Sequence, residues 1–284
     1  MQNTAAKQSN PLSNYFRQPK IWIRLPSKGK YYPSDSLEHS VNDEYPVFAM
    51  TAKDELLFKT PDALLSGQST VEVIKSCIPA IKEPWNMPAI DVDVCLIAIR
   101  LATYGEDMDV TVHCPKCNEE NDYSMNLRIW LGQFDNFDYN DEVDVDPLKV
   151  KIRPYSYREV TKASLQTLEQ QKLVQIATDD SMSDEEKLAK FQTGFIKLTD
   201  LTVDLIAGCI TRIESPEGSV SDSKIIKDFI DNAPKDVFEK VHAHVTEIKK
   251  QIDLKPQEMK CSHCGHEFST PIAMDQSNFF GVRS

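Results

Sequence analysis

Two Cys-x-x-Cys pairs, Cys114-Pro-Lys-Cys117 and Cys261-Ser-His-Cys264, carry the residue types and spacing best suited to chemistry in this chain. Two residues between paired cysteines let a tight turn aim both sulfurs at one ion, and zinc takes four soft or borderline ligands at tetrahedral corners. The pairs therefore read as halves of one site, with Cys114, Cys117, Cys261 and Cys264 holding a structural Zn2+. Four protein ligands leave no coordination position open, which points to structure rather than catalysis. If the halves meet, everything from Asn118 to Lys260 is a loop pinned at its base. The rival assignments are two disulfides or a redox dithiol. Redox pairs open a helix after a strand, whereas these follow strand-like runs and precede polar turn residues. His113, His263 and His266 stand close enough in sequence to replace one cysteine, so a three-Cys, one-His set stays open. With four thiols at hand, the expectation keeps the histidines as neighbours that donate hydrogen bonds from outside the ligand set.

Other chemistry is sparse. The chain has no Gly-x-Ser-x-Gly elbow, no His-Glu-x-x-His and no dinucleotide glycine fingerprint, so the expectation is a protein that is not an enzyme. Lys28-Gly29-Lys30 lacks the glycine pair and the Lys-Ser/Thr of a phosphate loop and reads as an exposed turn. His242 and His244 are two apart on a helix and face different sides.

The knuckles need strands to carry them. Asp109–His113 alternates into the first, Tyr123–Leu127 runs out of it, and 257–260 and 267–270 flank the second, so two hairpins stack as a zinc ribbon. Before them come short strands at 21–25 and 45–50. A helix from 52 is capped by Thr51, another carries Val71, Val73, Ile74, Cys77 and Ile78, and a third, from about 89 to 104, repeats Ile90, Val94, Ile97 and Leu101 and stops at Gly105. After them, residues 135–146 hold six acids and no base. This reads as a solvated acidic loop, since no register supplies the glycine and glutamate of a calcium loop. A strand at 148–152 follows, then helices over 157–178, 183–214, 221–232 and 234–252, with Ser183 and Glu186 spelling a capping box.

The fold expected is α+β: an N-terminal mixed strand and helix region and a two-knuckle zinc ribbon, interrupted by a mainly helical insertion. Residues 1–20 form a flexible arm, 21–134 plus 253–284 the body, and 135–252 the acidic loop, strand and helical insertion lobe. Tyr15 and Phe16 in the arm, and Phe279 and Phe280 in the tail, are apolar where the surroundings are polar. They are the candidate partner-binding residues, and the tail pair inserts either into this domain or into a neighbouring subunit.

Composition limits the partners. A net charge of −12 disfavours attachment to phosphate backbones or anionic lipid. No stretch is apolar enough to span a membrane, and the polar start, Met1–Asn14, lacks the core of a signal peptide, so a soluble protein made inside the cell is expected. Four of the seven cysteines sit at metal spacing, which suits a reducing compartment. Cys77, Cys95 and Cys209 read as small core residues.

With these residues in view, the chain resembles the T-even (T4-like) bacteriophage baseplate hub subunit family. The resemblance is carried by Pro46-Val-Phe-Ala-Met50-Thr-Ala-Lys-Asp-Glu55, by Pro61–Gln68 followed by Val73–Pro79, and by Ile90–Asp93 through Ala102–Gly105. The two knuckles and the Phe279-Phe280 ending fit it as well, and it spans about residues 20 to 280. It implies a viral protein of the central hub of a contractile tail baseplate, binding other tail hub proteins without turnover chemistry. It also implies a location in the host cytoplasm during assembly and in the tail baseplate if it stays in the particle. No nucleic acid, membrane or small-molecule substrate is expected. The competitor from another class is a zinc-ribbon transcription factor or polymerase-binding regulator, which should show a basic stripe with interleaved aromatics that is missing here.

Overall fold

The structure, a computed structural model, describes residues 11–12, 15–60, 66–135, 137–165, 167, 183–252, 255–270 and 279–280. Its centre is the helix Val92–Tyr104, whose Val92, Val94, Cys95, Leu96, Ile97, Ala98, Ile99 and Leu101 are all buried. Apolar residues on nearly every side suit a helix surrounded by protein rather than one lying on a surface. Around it pack the antiparallel pair β1 (Pro19–Ile23) and β2 (Tyr45–Phe48), in which Ile23 faces Tyr45 and Ile21 faces Val47, and the helices Ala52–Phe58 and Gln68–Cys77. Thr51 closes a capping box with Asp54, and Gly67 takes the left-handed φ of 74° needed before Gln68.

Arg17, near the end of the arm, is fastened to the body. The Arg17 guanidinium donates to the Ala49 carbonyl at 2.7 Å and to the Ser76 carbonyl at 2.5 Å, and it lies 3.5 Å from the buried Asp54 carboxylate. The Lys28-Gly29-Lys30 turn is also tied down. Asp91 is fully buried at the start of the central helix and accepts from the Ser27 N–H at 2.8 Å, the Ser27 hydroxyl at 2.6 Å and the Tyr32 hydroxyl at 2.9 Å.

Burial pushes the Asp91 carboxyl up to about 6, against the lowering effect of those three donors. The folded carboxyl therefore keeps its proton to a higher pH than an unfolded one near 3.8. Its stabilising contribution is fully present below that lower value and is lost as pH rises through about 6. Between pH 8 and pH 5 the wild type should gain about 1.4 kcal/mol relative to Asp91→Asn, whose amide keeps an acceptor for Ser27 without titrating. Urea midpoints of the two proteins across that range check it, and parallel curves would contradict it.

Three further antiparallel sheets complete the architecture. β3 (Asp107–His113) pairs with β4 (Glu120–Asn126), and β9 (Gln257–Lys260) pairs with β10 (Glu267–Thr270). Between them β5 (Glu142–Val145), β6 (Leu148–Ile152), β7 (Ile210–Ser215) and β8 (Gly218–Val220) form a four-stranded sheet in that order. The helices Asp184–Cys209, Ser223–Asn232 and Lys235–Ile252 follow the chain around it. Buried residues of this region, including Val143, Val150, Ile206, Ile226 and Val241, belong to one contiguous cluster with those of the central helix.

The sequence expectations fail at two elements here. The acidic stretch contains β5, because Val143 and Val145 alternate with Glu142 and Asp144 and point into the core. The helix expected to reach residue 214 stops at Cys209, and Ile210–Ser215 leaves as β7 to pair with β6. Its β-branched Ile210, Thr211 and Ile213 fit a pleated, half-buried surface, and strand pairing overrides the helical periodicity. Ser183 and Glu186 do form the expected capping box, and Asp222 caps the helix Ser223–Asn232. Helix is seen at 157–165, and the remainder of the segment expected to be helical to 178 lies outside the described residues apart from residue 167.

Candidate metal centre

Each knuckle is a turn at the tip of a strand hairpin: β3 and β4 carry Cys114 and Cys117, and β9 and β10 carry Cys261 and Cys264. The two turns are built alike. In the first, the Cys114 N–H donates to the Glu119 carbonyl at 3.0 Å and the Asn118 N–H to the Cys114 carbonyl at 2.8 Å. In the second, the Cys261 N–H donates to the His266 carbonyl at 2.9 Å and the Gly265 N–H to the Cys261 carbonyl at 3.0 Å. The residue after each second cysteine is left-handed, Asn118 at φ 60° and Gly265 at φ 69°, and these are the two residue types that enter that region most easily.

The hairpins bring the knuckles together tip to tip. Cys114 Sγ lies 3.7 Å from Cys264 Sγ and Cys117 Sγ 3.6 Å from Cys261 Sγ, and all four sulfurs lie within 4.8 Å of one another. Sulfurs about 2.3 Å from a tetrahedral centre stand roughly 3.8 Å apart, so the arrangement fits a metal ion. The separations far exceed the roughly 2.05 Å of a disulfide, and all four thiols are free. Cys114 and Cys261 are buried while Cys117 and Cys264 face outward.

Local electrostatics separates the thiols. Cys261 is held down at about 6, chiefly by the Cys264 backbone N–H, against burial and with help from the His263 backbone N–H, the Cys117 thiol and Asn121. Cys117 is pushed up to about 12: the Glu119 backbone N–H favours its thiolate, but burial and the Cys264, Cys261 and Cys114 thiols outweigh it. One thiolate forms readily, and further ones repel it until a cation shares the site.

Among the described residues the converging ligand atoms are those of the four cysteines. The His113 ring lies 3.4 Å from the Asn118 carbonyl and 3.7 Å from Glu120, and the His266 ring stacks on Phe268. Asn121 is a further residue at the join of the two knuckles. It is buried on β4, and its Oδ1 accepts from the Ser262 N–H at 2.8 Å and the Ser262 hydroxyl at 2.9 Å. An asparagine just beyond a knuckle carries no signal by itself; only the facing turn gives it a partner.

The sequence matches the family model described as T4 bacteriophage base plate protein over residues 19–281. The chain belongs to that family. No curated protein and no solved structure matches it. Membership makes this a structural protein of a phage baseplate, part of the virion tail, and implies binding to other phage proteins.

For partner binding, the structure separates the two aromatic pairs of the baseplate protein. Tyr15 and Phe16 are exposed, at 84% and 59%, just ahead of the Arg17 anchor. Phe279 and Phe280 are instead buried at 5% and 6%. Phe280 stacks on Phe58 with ring centroids 4.2 Å apart, and Phe279 meets Phe280 edge-on at 5.1 Å. Of the two destinations open to the tail pair, they occupy this domain in the structure. Arg100 packs against the same pair. Its guanidinium lies 5.3 Å from both the Tyr104 and Phe279 rings and donates to the Phe279 carbonyl, while its Nε is buried without a partner among the described residues.

Proposed function

We propose that this protein is a hub subunit or hub assembly factor of the phage baseplate, acting by protein–protein binding with a structural Zn2+ as its staple. The observation that carries the reading is the convergence of four thiols from segments 144 positions apart onto one tetrahedral set. A closed set of four protein ligands supports a fold and leaves no site for a water nucleophile. Zinc suits a four-thiolate set in a reducing cell. The chain divides for this purpose into an arm at 1–20, a body at 21–134 plus 253–284, and an insertion at 135–252. The protein works in the host cytoplasm during assembly and in the tail baseplate, without turnover chemistry and without nucleic acid, membrane or small-molecule partners. Among the described residues no helix is long and apolar enough to cross a membrane. The alternative of a zinc-ribbon transcription factor or polymerase-binding regulator is disfavoured by the first hairpin. From Glu106 to Asn126 it carries six acids against the single base Lys116, and Asp107, Asp109, Glu120 and Asp122 are exposed.

Two exposed features suit a protein partner: Tyr15 with Phe16, and the helix Asp184–Cys209. On that helix Leu188, Phe191 and Phe195 recur at three- and four-residue steps, so they share one side, and all three are exposed. Phe191→Asp with Phe195→Asp should leave the melting temperature nearly unchanged, since exposed substitutions usually stay within about 0.5 kcal/mol. The same pair should remove most co-purification with other baseplate hub proteins from infected cells. Pull-down with mass spectrometry and metal analysis of the same sample tests both halves of the reading. Retention of DNA or polymerase in place of tail proteins would favour the competitor, and a metal-free preparation would remove the staple.

A further inference from the structure

The two knuckles share one backbone plan, and beside the cysteines a further side chain bridges them. Asn121 lies on β4 opposite Val112, is buried, and has each polar atom committed. Its Nδ2 donates to the Glu119 carbonyl at 2.9 Å, the same oxygen that accepts the Cys114 N–H in the first knuckle. Its Oδ1 takes both donors of Ser262, the residue directly after Cys261 in the second knuckle. One amide thus holds the turn around Cys114 against the turn around Cys261. A second polar link from β4 to the second hairpin is the Tyr123 hydroxyl, which donates to the Lys260 carbonyl at 2.9 Å before the knuckle begins.

The asymmetry of this link has a simple cause. Counting from the first cysteine of each knuckle, Ser262 occupies the place of Pro115, and Asn121 the place of Phe268. Pro115 has no N–H, so the first turn presents no orphan donor at that place. Ser262, exposed at the join, presents two donors there, and the buried Asn121 Oδ1 takes both. Asn121 thus meets donors that the second turn presents and the first does not.

We propose that Asn121 is the positioning residue of the metal centre, clamping the second knuckle to the first so that the four sulfurs are pre-set for a metal ion. The role rests on the metal reading above. Side chains that orient ligands from outside the ligand set typically change metal affinity 10- to 100-fold when removed.

The test uses the full chain and two metals, Zn2+ for retention and Co2+ for geometry. Asn121→Ala should still take up one equivalent and give the Co2+ visible bands of a tetrahedral thiolate site, but should pass Zn2+ to a competing chelator roughly 10- to 100-fold faster. Ser262→Pro converts the second knuckle to the Cys-Pro-x-Cys form that the first already uses, removing the donors while respecting the turn. It should lose retention to the same extent, and the double variant no further than either single, because the two act as one contact. Zn2+ transfer from Asn121→Ala within about two-fold of wild type would overturn the proposal, as would a retentive Ser262→Pro beside a leaky Asn121→Ala. If Asn121→Ala does not fold, the Ser262→Pro transfer rate decides alone. A wild-type chain that takes up neither Zn2+ nor Co2+ would defeat the metal reading itself, a result distinct from normal uptake with unchanged retention in the variants.

Discussion

Replacing Cys117 or Cys264 with serine should strip the ion and unfold the ribbon, the largest single effect expected in this protein. Both thiols face outward, so the substitution removes a ligand without opening a hole in the core. Binding of a structural zinc is worth roughly 10–16 kcal/mol of folding free energy in small zinc domains, comparable to the whole stability of a typical fold at about 5–15 kcal/mol. Losing even about 5 kcal/mol would lower the melting midpoint by on the order of 10 °C for a chain of this size. Metal content should fall from one ion per chain to well below one, and a strong chelator should bring the wild type to the same midpoint. Cys95→Ser is the control. It buries a hydroxyl on the central helix and so destabilises, but leaves the metal stoichiometry intact. Unchanged melting and unchanged metal content in Cys117→Ser would remove the metal from any structural role.

The second large effect belongs to the tail. Phe280→Ala should cost about 3–5 kcal/mol, the usual toll for deleting a buried aromatic ring, because its stack on Phe58 and its edge contact with Phe279 are both lost. Truncation after Asn278 should cost more, since the carbonyl that receives the Arg100 guanidinium goes too. That guanidinium is already held below its usual range by desolvation and would lose the Phe279 ring as a neighbour too. Thermal melts of the two variants give the size of the effect. Association with baseplate partners, measured per folded molecule, should hardly change. A truncated chain that melts normally but no longer binds its partners would reverse this assignment and restore the tail as a docking element.

Much of this was legible in the sequence where the physics is local. Metal spacing survives any fold, so four cysteines named a site before any contact was known. The capping boxes of Thr51 with Asp54 and Ser183 with Glu186 depend on three-residue geometry alone. The central helix showed itself through its apolar repeat. What the sequence hid depends on distant partners. Ile210–Ser215 continues a helical repeat and becomes a strand only because β6, some sixty positions earlier, offers it an edge. Glu142–Val145 looks solvated by its charges, and its two valines matter only once a core lies beneath them. Arg17, Arg100 and Asn121 each look like surface residues until the segment they hold arrives from elsewhere in the chain.

The separation of the two knuckles also bears on biosynthesis. A ribosome that has just made Cys117 must add 144 more residues before Cys261 exists. Until then the nascent chain offers an ion two of the four site thiols, half of a tetrahedral set. Stable metal capture on this reading marks polypeptides translated through residue 264. A copy terminated before Cys261 is left with the first hairpin and half of the ligand set.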